Sequence, residues 1–197
     1  MWNTHDINVR LNSQAIKKLT VEKVEQDFND MNVQLAIQSN LTILQCLTKQ
    51  IKTIERALLK QLKLDDRYTK ITSIDGIGII LGLTIILETG EISRFNKVGD
   101  YASYCRLVSG GRFSNGKKKG KTNTKNGNKY LCWAFIEAAN FAIRYNETVK
   151  KYYQRKLEKT NATIAKKTVA HKLARACFYV LRDDLEFDVD KAFGYSK

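Results

Sequence analysis

The chain has 197 residues with 43% hydrophobic content, enough for one good core or for one core plus a helical arm. Its formal net charge of +14 and its four scattered cysteines, without a CxxC pair, argue against a disulfide scaffold or a clustered metal site and towards a polyanionic partner. The most apolar stretch, Ile71 to Leu87, is interrupted by Asp75 and three glycines and is too short to span a bilayer, and MWNTHDINVR lacks a basic-then-apolar leader layout, so no membrane association and a cytoplasmic location are expected.

Proline is absent and apolar residues recur at helical spacing, which predicts an all-α protein. Residues 11 to 36 read as helical, with Val21, Val24 and Phe28 on one face and the acidic side chains Glu22, Glu25, Asp27 and Asp30 at the spacing of a solvated face. Ile37, Leu41, Leu44, Leu47, Ile51, Ile54, Leu58 and Leu62 step by three or four and predict one long amphipathic helix. Such a stripe suits either a coiled coil with a second chain or a helix of an intramolecular bundle. Asp65 and Asp66 mark a break, dividing the chain into a helical arm, residues 1–66, and a compact helical domain, residues 67–197.

The second part opens on YTKITSIDGIGIILGLTIILE, a short segment running into Asp75-Gly76-Ile77-Gly78 and then a very apolar helix. Gly76 and Gly78 allow a tight turn, and the free amides at the start of the following helix attract phosphate, as in a helix-hairpin-helix motif. One or two short helices follow between Ser93 and Arg106, with Phe95, Val98, Tyr101 and Tyr104 as their apolar side.

Arg112 to Tyr130, RFSNGKKKGKTNTKNGNKY, is too polar for a core and reads as a loop. From Ser114 to Asn128 it holds five lysines, three glycines, four asparagines and no acid. Solvated loops can share this composition, but the surroundings favour phosphate binding: Arg94 to Arg175 carries 20 Lys/Arg against 4 Asp/Glu, a net of +16, which leaves −2 for the rest of the chain. Three helices should follow, at 130–145, 147–159 and 161–182. The first has Leu131, Ala134, Phe135, Ala138, Ala139 and Ala142 inward, and the last has Ile164, Thr168, Leu173, Cys177 and Val180 as core. Trp133, Tyr152 and Tyr153 are expected to pack in the protein and not to stack on bases.

The order SIDGIG, LETGEISRF, YASYCRLV, a serine with a glycine-basic run, KNGNKYL and EAANFA resembles the carboxy-terminal domain of bacterial insertion-sequence transposases of the insertion-sequence 110 family. The resemblance implies DNA transposition and recombination by serine-dependent strand cleavage and rejoining, guided by an element-encoded bridge RNA. Ser114 matches the family's nucleophile, although this chain reads Ser114-Asn115-Gly116 where a serine-glycine pair is commoner; Ser109 is the rival.

Arg112, Lys117, Lys118, Lys119, Lys121, Lys125 and Asn128, with Gly76 and Gly78, are the expected DNA-binding positions. The long helix matches the connector that links this domain to a RuvC-like domain in the family, and through it the arm is expected to form a homo-oligomer. About 36 residues precede that helix, too few for a RuvC-like domain, so the chain reads as a truncated copy, inactive alone. No cofactor is expected in this chain, and Mg2+ only together with that acidic domain. The alternative functions are a non-catalytic nucleic-acid-binding module and a dimerising remnant that modulates an intact transposase.

Overall fold

The computed structural model describes residues 12–62, 66–108, 111–114, 117–121 and 126–194. The frame is all-helical, as the periodicity predicts, with one short antiparallel hairpin added. Contacts divide the chain into two compact units, the break falling between Leu58 and Leu59.

The first unit contains α1 (Ser13–Lys17), α2 (Val21–Asp27) and most of α3 (Met31–Leu62). Side chains define the helix starts: Asn12 accepts the Gln14 and Ala15 amides, Thr20 the Lys23 amide, and Asp30 the Asn32 and Val33 amides. The unit's core is small, consisting of Leu19, Val24, Phe28 and Leu41 with Val33 and Ile37 partly buried. Val24 and Phe28 face it as expected, but Val21 is turned outward. On α3 the predicted stripe is buried only at Leu41, whereas Leu47, Ile51 and Ile54 are exposed. The stripe is long because α3 is long, and the two short helices before it supply little apolar surface to cover it.

The second unit contains α4 (Asp66–Thr72), α5 (Ile79–Thr89), a 3-10 turn (Ile92–Arg94), α6 (Val98–Tyr104), β1 (Gly111–Ser114), β2 (Lys117–Lys121), α7 (Lys129–Tyr145), α8 (Glu147–Leu157), α9 (Ala162–Asp183) and α10 (Val189–Phe193). Three of its four longest helices begin on an asparagine that accepts first-turn amides: Asn128 for α7, Asn146 for α8 and Asn161 for α9. α9 is the central element, packing against α4, α6, α7, α8 and α10.

The α7 stripe Leu131, Ala134, Phe135, Ala138, Ala139 and Ala142 is wholly buried, and its alanines let α5 and α9 approach closely. On α9 the buried face is Ala165, Val169, Ala170, Leu173, Ala174, Cys177, Phe178 and Val180. Ile164, expected inside, is exposed, and Thr168 is half-buried, because α9 turns its small residues towards its neighbours at that end. Tyr101 sits at the centre with no exposed surface; its hydroxyl shares a 2.9 Å hydrogen bond with Thr89, and its ring meets those of Phe95, Phe135 and Phe178.

Among the described residues no helix is long and apolar enough to cross a membrane. Cys105 and Cys177 are buried, Cys132 is half-buried and Cys46 is exposed. Burial pushes the Cys105 thiol up to about 12 and raises that of Cys177 strongly.

Candidate nucleic-acid interface

Two features expected to meet phosphate lie at opposite ends of α7, the cationic segment before its start and the glycine turn against its last turns. The cationic segment, expected as a loop, contains strands. β1 and β2 pair antiparallel, with Gly111 opposite Lys121, Phe113 opposite Lys118 and Ser114 opposite Lys117, and an irregularity between Gly111 and Phe113. Ser114 and Arg112 are thus on β1, and Lys117, Lys118, Lys119 and Lys121 are on β2. Ser109 and Lys125 lie outside the described residues.

The described residues on either side of the hairpin in sequence are cross-linked. Arg106 Nε donates to the Gly127 carbonyl at 2.9 Å, and the Asn128 amide donates to the Tyr104 carbonyl at 2.6 Å. Gly127 has φ +96, and a Cβ there would lie 2.4 Å from the Tyr104 carbonyl oxygen, so only glycine lets the returning strand pass the end of α6.

Asn128, expected to touch DNA, has structural partners here. Its Oδ1 accepts the Tyr130 and Leu131 amides, and its Nδ2 donates to Glu88 at 2.6 Å, tying α7 to α5. The Arg94 guanidinium lies 4.6 Å from the Phe95 ring centre and 4.7 Å from that of Tyr104. Hydrogen bonds from Asn128 and Arg94 lower the Tyr104 phenol below its usual range. None of Glu88, Arg94 or Arg106 was singled out by sequence reasoning; for Arg94 and Arg106 the signal available was a cation beside an aromatic or a turn.

At the other end, Gly76 has φ +93 and lies against α7 so tightly that a Cβ would come 2.3 Å from the Ala138 carbonyl oxygen and 2.7 Å from the Ala142 amide nitrogen. Asn146 fixes the same turn by donating to Asp75 at 2.6 Å. Gly78, by contrast, opens α5 in an extended conformation with no atom near its missing Cβ, and no side chain caps the helix. Its first-turn amides therefore lack a side-chain acceptor. The turn borders a shallow hollow shared with the exposed side chains of Ile79, Ile80, Phe141 and Tyr145, and the last two rings stack in parallel.

The outer face of α7 between the two ends carries an aromatic that was expected to pack. Trp133 is 49% exposed, beside Tyr130 at 51%. Tyr152 follows the expectation: it is half-buried with its ring edge-on to Phe193 at 5.5 Å. Among the described residues no group of three or more His, Cys, Asp or Glu side chains could hold a metal ion. Asp30 is used as a helix cap, and Glu22 and Glu25 are exposed.

Residues 68–154, from the start of the second unit's core through the glycine turn, hairpin and α7 into α8, match the profile of the IS116/IS110/IS902 transposase family. That stretch is similar to this transposase family. It is 27% identical over 110 residues to the insertion element IS116 uncharacterized 44.8 kDa protein of Streptomyces clavuligerus, covering 56% of this chain and 28% of that protein. It is 23% identical over 142 residues to the "Probable family 20 transposase" of Pseudomonas aeruginosa, covering 70% of this chain and 42% of the relative. The chain thus spans less than half the length of each of these relatives. The matching stretch contains both glycines of the turn, the hairpin with Ser114, and the cap Asn128.

Proposed function

We propose that this chain supplies the DNA-binding, serine-bearing part of a transposase acting in DNA transposition and recombination, with Ser114 as the nucleophile. The observation that carries the reading is the pairing of Ser114 with Lys117 across a hairpin whose second strand reads KKKGK, inside the region that matches the family. A serine hydroxyl attacks a phosphodiester poorly unless its proton is removed and the charge developing on phosphorus-bound oxygen is offset. Lys117, Lys118, Lys119, Lys121 and Lys125, with Arg112, provide that offset.

Gly78 serves the same reading. The uncapped amides at the start of α5 hold a backbone phosphate in the manner of a helix-hairpin-helix, while Gly76 sets the turn against α7. The acid–base and metal part of the reaction, with Mg2+, belongs to a RuvC-like acidic domain acting together with this one, and a bridge RNA selects the DNA. The exposed stripe of α3 mediates homo-oligomerisation through the arm.

The test is recovery of an SDS-stable protein–DNA adduct on element DNA with the RuvC-like domain and Mg2+ present. Wild type and Ser109→Ala form the adduct, whereas Ser114→Ala forms none and still binds DNA. An adduct that survives Ser114→Ala removes this serine from the mechanism.

A further inference from the structure

The cationic hairpin accounts for only part of the positive charge. Between Lys150 and Arg175 the chain carries nine Lys/Arg and a single acid, Glu158. This stretch is the helical pair α8–α9, most of it beyond the region that matches the transposase family.

The pair brings its cations together around one ring. Arg155 and Lys156 of α8 each lie 5.6 Å from the Tyr152 ring centre, and Lys172 of α9 lies 5.0 Å from it. The Lys172 ammonium is held there by a 2.6 Å bond to the Ala192 carbonyl, and Arg175 follows on α9 with its side chain exposed. Burial, then the neighbouring charges of Arg175, Lys156 and Arg155, make Lys172 easier to deprotonate than a free lysine. Like charges crowded in this way oppose folding, and an arriving anion relieves the repulsion.

Among the described residues, several nearby carboxylates have other partners. Glu147 pairs with Lys150 at 3.1 Å, Asp183 with Arg182 at 2.6 Å, and Asp188 accepts the Asp190 and Lys191 amides. Beyond α9, the hollow against the 185–192 segment mixes Lys172, Arg175 and Lys191 with Asp183, Glu186 and Asp188, so its charges balance. Arg155 and Lys156 of α8 do not line that hollow and add their charge on its α8 side. Lys172 and Arg175, three residues apart, share one side of α9, and with Arg155 and Lys156 of α8 they make four cations, more charge than a single phosphate group could match.

We infer that the α8–α9 face, centred on Arg155, Lys156, Lys172 and Arg175, is a second nucleic-acid surface that grips a phosphodiester backbone independently of the serine hairpin. This inference depends on the nucleic-acid reading above, and the experiment separates the two. Fluorescence anisotropy of the full chain is followed across a salt series with a labelled arbitrary-sequence DNA duplex, a labelled RNA hairpin and, as competitor, polyglutamate. Three variants are compared: Arg155→Gln/Lys156→Gln/Arg175→Gln; Lys151→Gln/Lys159→Gln, at two exposed positions, which guards against misfolding of the first; and Lys117→Gln/Lys118→Gln/Lys119→Gln in the hairpin.

On at least one nucleic-acid probe, each α8–α9 variant lowers the salt slope, by about 0.9 per phosphate contact removed, and weakens binding by about tenfold or more. The preferred probe identifies the backbone as DNA or RNA. If both α8–α9 variants keep the wild-type slope while the hairpin variant loses affinity, the second surface is refuted and the nucleic-acid reading stands. If wild type shows no salt-dependent binding to either probe, both fall. Displacement by polyglutamate as effective as by nucleic acid overturns the inference in favour of an acidic protein.

Discussion

Gly76 and Gly78 lie two positions apart in one turn and face opposite surroundings. Alanine at Gly76 must adopt a left-handed φ and push against the α7 backbone, so Gly76→Ala should cost about 2 kcal/mol or more and lower the urea midpoint. Gly78→Ala meets open space and should cost only about 0.5 kcal/mol, the difference between the two residues at a helix start, while weakening DNA binding if the α5 amides hold phosphate. Equal destabilisation by the two changes would refute this assignment. Asn128 offers a sharper contrast. Asn128→Ala removes a cap and the bond to Glu88, an expected loss of about 2–3 kcal/mol in chemical denaturation. Asn128→Asp keeps the cap but sets a second carboxylate against Glu88. One carboxyl pKa in the folded state then rises above its unfolded value, so this variant should be weakened at neutral pH and regain stability as the pH falls through the carboxylate range. A stability difference from wild type that is flat between neutral and acidic pH would overturn that contact. At the cysteines, burial keeps Cys105 and Cys177 protonated and shielded, so alkylation at mildly alkaline pH should label Cys46 first and reach the buried pair only on unfolding.

Among the elements, α7 was the most readable from sequence. Its six inward positions recur at helical spacing, Asn128 precedes it, and all six are buried because neighbours cover the whole stripe. α3 shows the opposite case. Its period is equally clear, but periodicity says that a face is apolar without saying what covers it, and in the first unit Leu47, Ile51 and Ile54 remain exposed. Ile51→Glu/Ile54→Glu should therefore leave the Leu19, Val24, Phe28 and Leu41 core intact while shifting the solution mass towards monomer in light scattering. An unchanged mass would mean that this stripe does not join copies. The hairpin was missed because lysine strands lack hydrophobic alternation. The signal that could have found it is Asn115-Gly116 between β1 and β2, a dipeptide favoured in two-residue hairpin connections. Trp133 was misplaced for a different reason: a large aromatic on a strongly amphipathic helix looks like core unless its angular position is checked, and here it falls opposite the alanine stripe.

For the whole molecule, the uneven cores predict uneven unfolding. The first unit's buried cluster is small, whereas the second buries the full α5–α7–α9 interior. All nine tyrosines lie at or beyond Tyr68, so near-ultraviolet tyrosine dichroism reports on the second unit alone, while α3 contributes strongly to the far-ultraviolet signal. Heating should therefore reduce far-ultraviolet dichroism in a first step that precedes loss of the tyrosine signal. If α3 joins copies, that first step moves with protein concentration. Coincident transitions by both probes would refute the separation.

The position of α9 also governs when the protein can fold. It touches α4, α6, α7, α8 and α10, yet its last buried residue, Val180, is made after nearly all its partners. On the ribosome, the glycine turn and the lysine hairpin therefore emerge before the helix against which α4, α6 and α7 pack, as part of a strongly cationic and unfinished domain. A message interrupted ahead of α9 would yield a chain with the serine and lysines but without the central helix of the second unit. Only almost complete translation brings the charged segment and its support into being together.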